Sequence, residues 1–246
     1  MRRKSVPILL FVGSRPDKTQ YQCLRGGYMV LASGTHGPVL ESGWLLAIQV
    51  ALIGAAFLLL TKPSKNPRRE VLLLSSIVLF TVALRVAMQP LPNVQPVTMA
   101  CLVVGARLGL RRGVAFAIMV TLLSNMVISD GWWTLFQASG WAMVAAAGAK
   151  FLNSEGALNM KILLYLSVVT SLLFDWWVSL SIIESGTTFT DFMFYLVNGL
   201  TFDLLHIFAT MAFALWLAPA LSDLISEDKS LTESAVAVGE NDVVIG

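Results

Sequence analysis

The chain has 246 residues, of which 56% are hydrophobic and 13% charged, and its formal net charge is +2. This balance, with a mean hydropathy of +0.73, is that of an integral membrane protein and leaves no room for a separate soluble domain. Backbone polar groups inside a bilayer must be satisfied internally, so we predict an all-α integral membrane protein. No run of Lys and Arg is interleaved with aromatic residues, so the sequence gives no support for a nucleic-acid surface.

Motifs that carry enzyme chemistry are missing from the sequence. It contains no GxSxG, no HExxH and no phosphate-binding GxxxxGKS or GxxxxGKT pattern, so hydrolase, zinc protease and ATPase activities are not indicated. Cys23 and Cys101 are far apart and lack CxxC or His-rich spacing, so neither a disulfide framework nor a metal site is indicated. We predict that the chain is not an enzyme and holds no cofactor.

The N-terminal region is the least clear part of the sequence. Residues 1–43 form a poorly defined basic tail; a signal peptide and a start at Met29 are both open interpretations of it. The first long apolar segment, at 44–60, predicts an additional transmembrane helix over residues 44–61, which precedes the main membrane domain.

The remaining apolar segments predict a membrane domain over 71–225. A straight span needs about 20 apolar residues, so the segment at 96–106, which follows Pro96 and is followed by Gly109, is too short to cross; such segments commonly line a cavity. Residues 226–246 are acidic and polar and predict a disordered cytoplasmic tail. Counting the short segment, we predict a six-helix bundle with helices near 71–88, 96–106, 113–127, 134–151, 161–183 and 192–221.

Basic residues predict the orientation of the bundle, because cytoplasmic loops are enriched in Lys and Arg. The loops predicted to face outward contain Asp130, Glu184 and Asp191 but no basic residue. The C-terminus is therefore predicted to be cytoplasmic, in a multi-pass protein of a prokaryotic plasma membrane. The loops predicted to face the cytoplasm carry Lys62, Lys65, Arg68, Arg69, Arg107, Arg111, Arg112, Lys150 and Lys161.

Small residues recur at four-residue spacing in two predicted helices. In membranes this spacing usually permits close approach of helices, so we expect packing to be their main role. They are Gly105, Gly109 and Gly113, with Ala142, Ala145, Ala146 and Gly148 in the following helix.

The predicted helix at 134–151 offers a face suited to binding a solute. Trp133, Gln137 and Trp141 are spaced i, i+4 and i+8, so they share one face. Tryptophans that flank an amide are typical of pockets for flat or amide-bearing ligands. The alternative for Trp133 is an aromatic belt at the membrane surface.

Polar residues in neighbouring segments are predicted to join this face at the outer side. Asn93 and Gln95 lie among Pro90, Pro92 and Pro96, which restrict the backbone that presents the two amides. Asn125 ends the preceding apolar segment. The alternatives are a stiff loop with solvated amides and, for Asn125, a helix cap or an interhelical hydrogen bond.

Four ionisable residues lie within predicted spans: Arg85, Asp175, Asp203 and His206. Such residues are costly in a bilayer and require a partner or a function. We expect a structural hydrogen bond between Asp203 and His206, or between Arg85 and one of the aspartates; a proton relay is the alternative. Asp175 and the adjacent Trp176 are expected to close the pocket.

Several of these features recur together in one protein family. Residues 91–98 read LPNVQPVT, and they are followed by Gly105, Gly109 and Gly113 and then by LSN at 123–125. With this pattern the chain resembles the substrate-binding S component of energy-coupling factor (ECF) vitamin transporters, most closely the cobalamin-specific members. The resemblance covers about 71–225. It also rests on Gly131, Trp133, Thr134, Gln137 and Trp141, with a weaker block at Phe202, Asp203 and His206, whereas Trp132, Leu135, Phe136 and Ala138 depart from the pattern.

The resemblance implies a six-helix S-component-like bundle that captures a vitamin, with cobalamin or a related corrinoid favoured. Partners would then be a transmembrane coupling subunit and two ATPase subunits. A solitary proton-coupled transporter and a membrane sensor remain as alternatives. The predicted substrate-binding residues are Asn93, Gln95, Asn125, Trp133, Gln137, Trp141, Asp175, Trp176, Asn198 and Asp203.

Overall fold

A computed structural model describes residues 32–34, 37–39, 42–60, 67–152, 156–183 and 186–227. Apart from one strand pair, every element in these ranges is helical, as the composition predicted. Residues 1–31, which make up most of the predicted tail, lie outside the described part of the chain. The strands are β1 (Ala32–Gly34) and β2 (Gly37–Val39), an antiparallel pair in which Ala32 is opposite Val39.

The helices follow the predicted segments closely. Helix α1 corresponds to the additional N-terminal segment. Helix α2 begins before the predicted membrane domain and includes Arg68 and Arg69, which had been assigned to a loop, and the other helices lie within that domain or at its end. A 3₁₀ turn, Leu180–Ile182, extends α5. The helices are α1 (Ser42–Leu60), α2 (Pro67–Ala87), α3 (Val97–Ile128), α4 (Trp133–Phe151), α5 (Met160–Ser179), α6 (Phe189–Trp216) and α7 (Ala218–Glu227).

Three helical stretches in the described ranges are long and apolar enough to cross a membrane. They are Val97–Ile128, Met160–Ile182 and Phe189–Trp216. Helices α1 and α2 contain shorter apolar stretches, Gly43–Leu59 and Val71–Ala87. Helices α1, α2 and α6 expose many Leu, Val and Phe side chains. Such extensive apolar surface is unfavourable in water, so the protein is embedded in a membrane.

Helix α3 is two helical arms joined at Gly109. Gly109 has φ +78° and ψ 172°, a conformation that glycine adopts without steric cost. A Cβ on Gly113 would lie 2.9 Å from the Cα of Gly105, whereas residues eight apart in a straight helix are separated by about 12 Å. The chain therefore reverses at Gly109. The sequence predicted a loop over 107–112, but the structure makes the reversal at a single residue.

The first arm of α3, residues 97–108, is the centre of the protein. All of its side chains are buried, which agrees with an arm that is apolar nearly all round. Two glycines let α4 approach this arm at backbone distance: a Cβ on Gly105 would lie 2.0 Å from the carbonyl oxygen of Ala145, and one on Gly148 would lie 2.1 Å from that of Leu102. The packing role predicted for these small residues is confirmed at Gly105, Gly113 and Gly148.

The last predicted segment, 192–221, is wrong at its end. Helix α6 stops at Trp216, and α7 begins at Ala218. Pro219 fits the first turn of α7, because proline lacks the N–H that would continue the preceding helix. The tail predicted from residue 226 also begins too early, since α7 continues to Glu227; residues 228–246 lie outside the described ranges.

Two local signals fix where α5 and α6 begin. The Asn159 side chain accepts a hydrogen bond from the Ile162 amide at 3.3 Å. Thr188 and Asp191 form a reciprocal capping box, in which each side chain accepts a hydrogen bond from the backbone N–H of the other residue. These caps set the position along α6 of the polar residues described below.

We expect Gly105→Ala to destabilise the protein by about 1–3 kcal/mol or more, because the added methyl group meets backbone of α4 that cannot rotate away. The matched control is Gly54→Ala in α1, where a Cβ meets nothing within 4 Å. Thermal unfolding in detergent measures both variants. Equal transition temperatures for the two would contradict the close contact between α3 and α4.

Candidate functional site

A cavity of about 600 Å³ opens at the end of the bundle opposite the basic turn at Gly109. Its wall includes the segment after α2, the end of α3, the start of α4, the end of α5 and the first half of α6. Sequence patterns had assigned these same ends to one side of the membrane. Seven of the ten predicted binding residues line the cavity: Asn93, Asn125, Trp133, Gln137, Asp175, Asn198 and Asp203.

Among the described residues of the cavity wall, Arg85 is the only basic one, and it is 6% exposed. Its Nε donates to Gln95 at 3.0 Å, and its Nη1 donates to Ser124 and, at 2.9 Å, to Asn125. Its Nη2 donates to Gln137 at 3.4 Å. These four acceptors are neutral, so the guanidinium is bonded but its charge is not matched by them.

Gln95 therefore has a different place from the one predicted. Its Oε1 accepts from Arg85 Nε, and the side chain does not line the cavity. It positions the arginine from the loop side. The neighbouring Asn93 does line the cavity, adopts φ +57° and donates from Nδ2 to the carbonyl oxygen of Phe202 at 3.2 Å. The loop after α2 is thus held to α6 by an amide side chain.

Trp141 lies beneath Arg85 and is fully buried. The guanidinium carbon is 4.7 Å from the indole centroid, which is a cation–π contact. Phe174 stacks on the same tryptophan with a centroid distance of 4.6 Å. Trp141 consequently supports the arginine and does not line the cavity, whereas Trp133 and Gln137 on the same helix face do.

Asn125 joins helices α3 and α4 at the edge of the cavity. Its Nδ2 donates to Thr134 Oγ1 at 2.8 Å and to Gln137 Oε1 at 2.9 Å. Thr134 Oγ1 in turn donates to Asp130, whose other carboxylate oxygen accepts from Gln49 of α1. Asn125 is therefore both an interhelical hydrogen-bonding residue and a lining residue.

His206 is fully buried and contacts two other helices. Its Nδ1 lies 2.9 and 3.0 Å from the two carboxylate oxygens of Asp175, and its Nε2 lies 2.8 Å from Thr98 Oγ1. The expected pairs of Asp203 with His206 and of Arg85 with an aspartate are both wrong. Asp203 is three residues from His206 on α6, but the histidine ring reaches Asp175 on α5.

The hydrogen bonds of Thr98 fit together if Asp175 is ionised and His206 is neutral. Trp141 Nε1 can only donate, and it lies 3.2 Å from Thr98 Oγ1, so the hydroxyl accepts this bond. An ionised Asp175 only accepts, so His206 Nδ1 donates to it. The Thr98 hydroxyl proton then goes to Nε2 of a neutral histidine. Every polar atom in the chain from Trp141 to Asp175 is satisfied by this assignment.

Asp203 has a simpler environment. It is 7% exposed, and its Oδ2 accepts from Trp176 Nε1 at 3.2 Å. Trp176 itself is 42% exposed on the outside of the bundle and does not line the cavity. Trp176 thus donates a hydrogen bond to Asp203 without lining the cavity, and Asp203 contributes a carboxylate to the cavity wall.

Sequence reasoning missed several lining residues that lie beside predicted ones. Tyr195, Leu196, Gly199 and Phe202 share a helix face with Asn198 and Asp203, at spacings of three to four residues. This periodicity was available in the sequence once one residue of the face was chosen. Ser179 is the last residue of α5 and Ser181 belongs to the 3₁₀ turn that follows it, which apolar periodicity did not indicate.

The chain belongs to a protein family described as a family of unknown function (DUF6580), whose profile matches residues 65–230, more than half of the chain. That range begins just before α2 and ends just after α7, and it contains every lining residue of the cavity. Helix α1 lies outside it. Comparison with curated proteins and with solved structures gives no match.

We expect Thr98→Val to cost about 1–3 kcal/mol of stability, because it removes the shared partner of Trp141 and His206 and leaves buried polar atoms unsatisfied. Thr121→Val is the matched control: Thr121 is equally buried, but its hydroxyl bonds only the Ala117 carbonyl of its own helix. Thermal unfolding of both purified variants measures the difference. A loss at Thr121 as large as at Thr98 would contradict a special role for this chain of hydrogen bonds.

Proposed function

We propose that this protein captures a small polar molecule, a vitamin, in the cavity and serves as the substrate-binding subunit of an ECF-type importer. The observation that carries the proposal is the convergence of Asn93, Asn125, Trp133, Gln137 and Asn198 on one cavity. Amides with an aromatic side chain in a concave site are the usual means of fixing the orientation of a small ligand. The proposal treats the chain as a binding protein, with no chemical step of its own.

The cavity volume bears on the ligand. A value of about 600 Å³ lies within the range of roughly 300–1,000 Å³ for pockets that enclose drug-sized ligands. A complete corrinoid is larger than such a ligand, so cobalamin would enter in part and extend to the outer face. A smaller vitamin would be enclosed. Cobalamin stays the first candidate because of the sequence resemblance. Smaller vitamins are further candidates because the cavity volume would enclose them.

The proposal also includes partners, a bundle of six helices and an orientation. The six are α2, the two arms of α3, α4, α5 and α6, with α1 as an addition at the N-terminal side. A transmembrane coupling subunit and two ATPases would supply the energy, since the sequence contains no phosphate-binding loop of its own. The cavity would face outward and the C-terminus the cytoplasm, in keeping with the basic residues at the opposite end.

A solitary proton-coupled transporter is the second candidate. The observation that favours it is the pair formed by His206 and Asp175, which lies in the membrane domain with Asp175 in the cavity wall. Pairs of this kind serve as proton relays in pumps and transporters. The two candidates differ in their energy source, so uptake in cells that lack every ECF coupling module separates them: it persists for a solitary transporter and is lost for an S component.

We expect purified protein to bind one member of a panel of cobalamin, riboflavin, thiamin, folate and biotin in calorimetric titrations. Trp133→Ala and Gln137→Ala should each weaken binding by about tenfold or more, because each removes a lining contact worth about 1–3 kcal/mol. Trp132→Ala is the matched control, since this adjacent tryptophan contacts Phe136 and does not line the cavity. A folded protein that binds none of the five would contradict vitamin capture.

We expect a C-terminal fluorescent-protein fusion to be fluorescent and a C-terminal alkaline phosphatase fusion to be inactive, because the former folds in the cytoplasm and the latter only outside it. The same two reporters, inserted after Ser129 at the cavity end, should give the reverse pattern. An active phosphatase at the C-terminus would overturn the proposed orientation.

A further inference from the structure

The charge of Arg85 has no counter-ion within the described residues. No carboxylate oxygen in the described ranges lies within 4.0 Å of its nitrogens; the Asp175 carboxylate is instead hydrogen-bonded to His206. All four hydrogen-bond acceptors of Arg85 are neutral side chains. Since an ionisable residue inside a membrane domain marks a functional site by default, a buried arginine that lines a cavity calls for a partner inside that cavity.

Arg85 retains a donor for such a partner. A guanidinium has five N–H groups, and the four hydrogen bonds to Gln95, Ser124, Asn125 and Gln137 use four of them. The fifth belongs to Nη2, and the bond that Nη2 does make, to Gln137, is long at 3.4 Å. The stacked Trp141 fixes the plane of the guanidinium from below, so Nη2 is held in place.

Gln137 supplies a second donor beside the first. Its Oε1 accepts from both Arg85 and Asn125 Nδ2, which fixes the orientation of the amide, because its own NH₂ cannot face two donors. The Gln137 Nε2 group is therefore turned away from Arg85 and has no acceptor among the described residues. Both side chains line the cavity.

We propose that Arg85 and Gln137 together bind an oxyanion of the captured molecule, a carboxylate or a phosphate, with one oxygen on Arg85 Nη2 and the other on Gln137 Nε2. The proposal rests on the proposed function in that it names the chemistry of the ligand held by the same cavity. The single free N–H of Arg85 is charged, and a hydrogen bond from a charged donor to an oxyanion is among the stronger hydrogen bonds in proteins.

The two aspartates restrict how such a ligand lies. Asp175 and Asp203 are on α5 and α6, whereas Arg85 and Gln137 are on α2 and α4. An acidic group is repelled by the carboxylates and attracted by the arginine, so it is directed to the α2 and α4 side. The remainder of the molecule meets Asp203, which accepts a hydrogen bond from only Trp176 among the described residues. The ligand class is thus an acid that also carries N–H donors.

Matched acid and amide pairs test the proposal without knowledge of the natural ligand. Nicotinate with nicotinamide, and benzoate with benzamide, have the same ring and differ in charge. Ligand-observed NMR titration of detergent-purified protein should show the acid binding about tenfold or more tighter than the amide, because a hydrogen bond to a charged group is among the strong ones. Equal affinities, or no acid binding, would overturn the proposal.

Gln137→Glu is a variant that tests the oxyanion site and that we expect to keep the fold. The new carboxylate is nearly the same shape, still accepts from Arg85 and Asn125, and supplies the missing counter-ion from within the protein. We expect a higher transition temperature and loss of the acid preference. Gln89→Glu, an exposed residue outside the cavity wall, changes the net charge equally and should keep the preference; a Gln137→Glu protein that still prefers acids would overturn the proposal.

The outcomes separate this proposal from the proposed function. Vitamin binding without an acid preference would support vitamin capture and contradict the oxyanion site. An acid preference without vitamin binding would support the oxyanion site and contradict vitamin capture. Native mass spectrometry of protein taken from membranes identifies the source of the oxyanion. A phospholipid retained by wild type and lost in Gln137→Glu assigns a headgroup phosphate, and its absence beside nicotinate binding assigns a soluble acid.

Discussion

The buried guanidinium of Arg85 is the interaction on which the cavity end of this protein depends. It is bonded to the loop after α2, to the end of α3 and to the start of α4, and it rests on Trp141. A charge at this depth is tolerated only with many well-placed partners. Three separate segments therefore have to meet around one side chain, and the cavity is the space left beside that meeting point.

A second series of hydrogen-bonded side chains connects α5 and α6 to α3, as the hydrogen bonds of Arg85 connect α2, α3 and α4. Asp175, His206 and Thr98 connect α5, α6 and α3, and Trp141 Nε1 completes the chain at Thr98. Trp141 thus contacts both systems, with its ring under Arg85 and its N–H on Thr98. The two hydrogen-bonded systems therefore meet at one buried indole, and a change at Trp141 would disturb both sides of the cavity at once.

The sequence was sufficient to predict the helices and most of the cavity wall, because apolar length and proline or glycine boundaries are local signals. Pro96 and Gly109 marked the short arm of α3 correctly, but the expectation that this arm lines a cavity was wrong, because residues 97–108 are buried and none of them belongs to the cavity wall. The partners of ionisable residues were not predictable in this way, since His206 has Asp203 nearby on its own helix but bonds Asp175 across the bundle. Trp141 was misplaced for a related reason: helical spacing gives the face of a residue, but depth along that face depends on packing against Phe174 and Arg85.

The loop between α2 and α3 has a consequence for the exchange of a ligand with the outside. Prolines stiffen this loop and Gln95 fixes its inner end. Among the described residues, the outer part is hydrogen-bonded to α6 only from Asn93 to the Phe202 carbonyl oxygen. One such exposed hydrogen bond is worth about 1 kcal/mol, so by itself it joins the outer part of the loop to α6 only weakly. A ligand is therefore retained mainly by its own contacts with the cavity wall, since the outer part of this loop adds only one weak hydrogen bond to α6 within the described ranges.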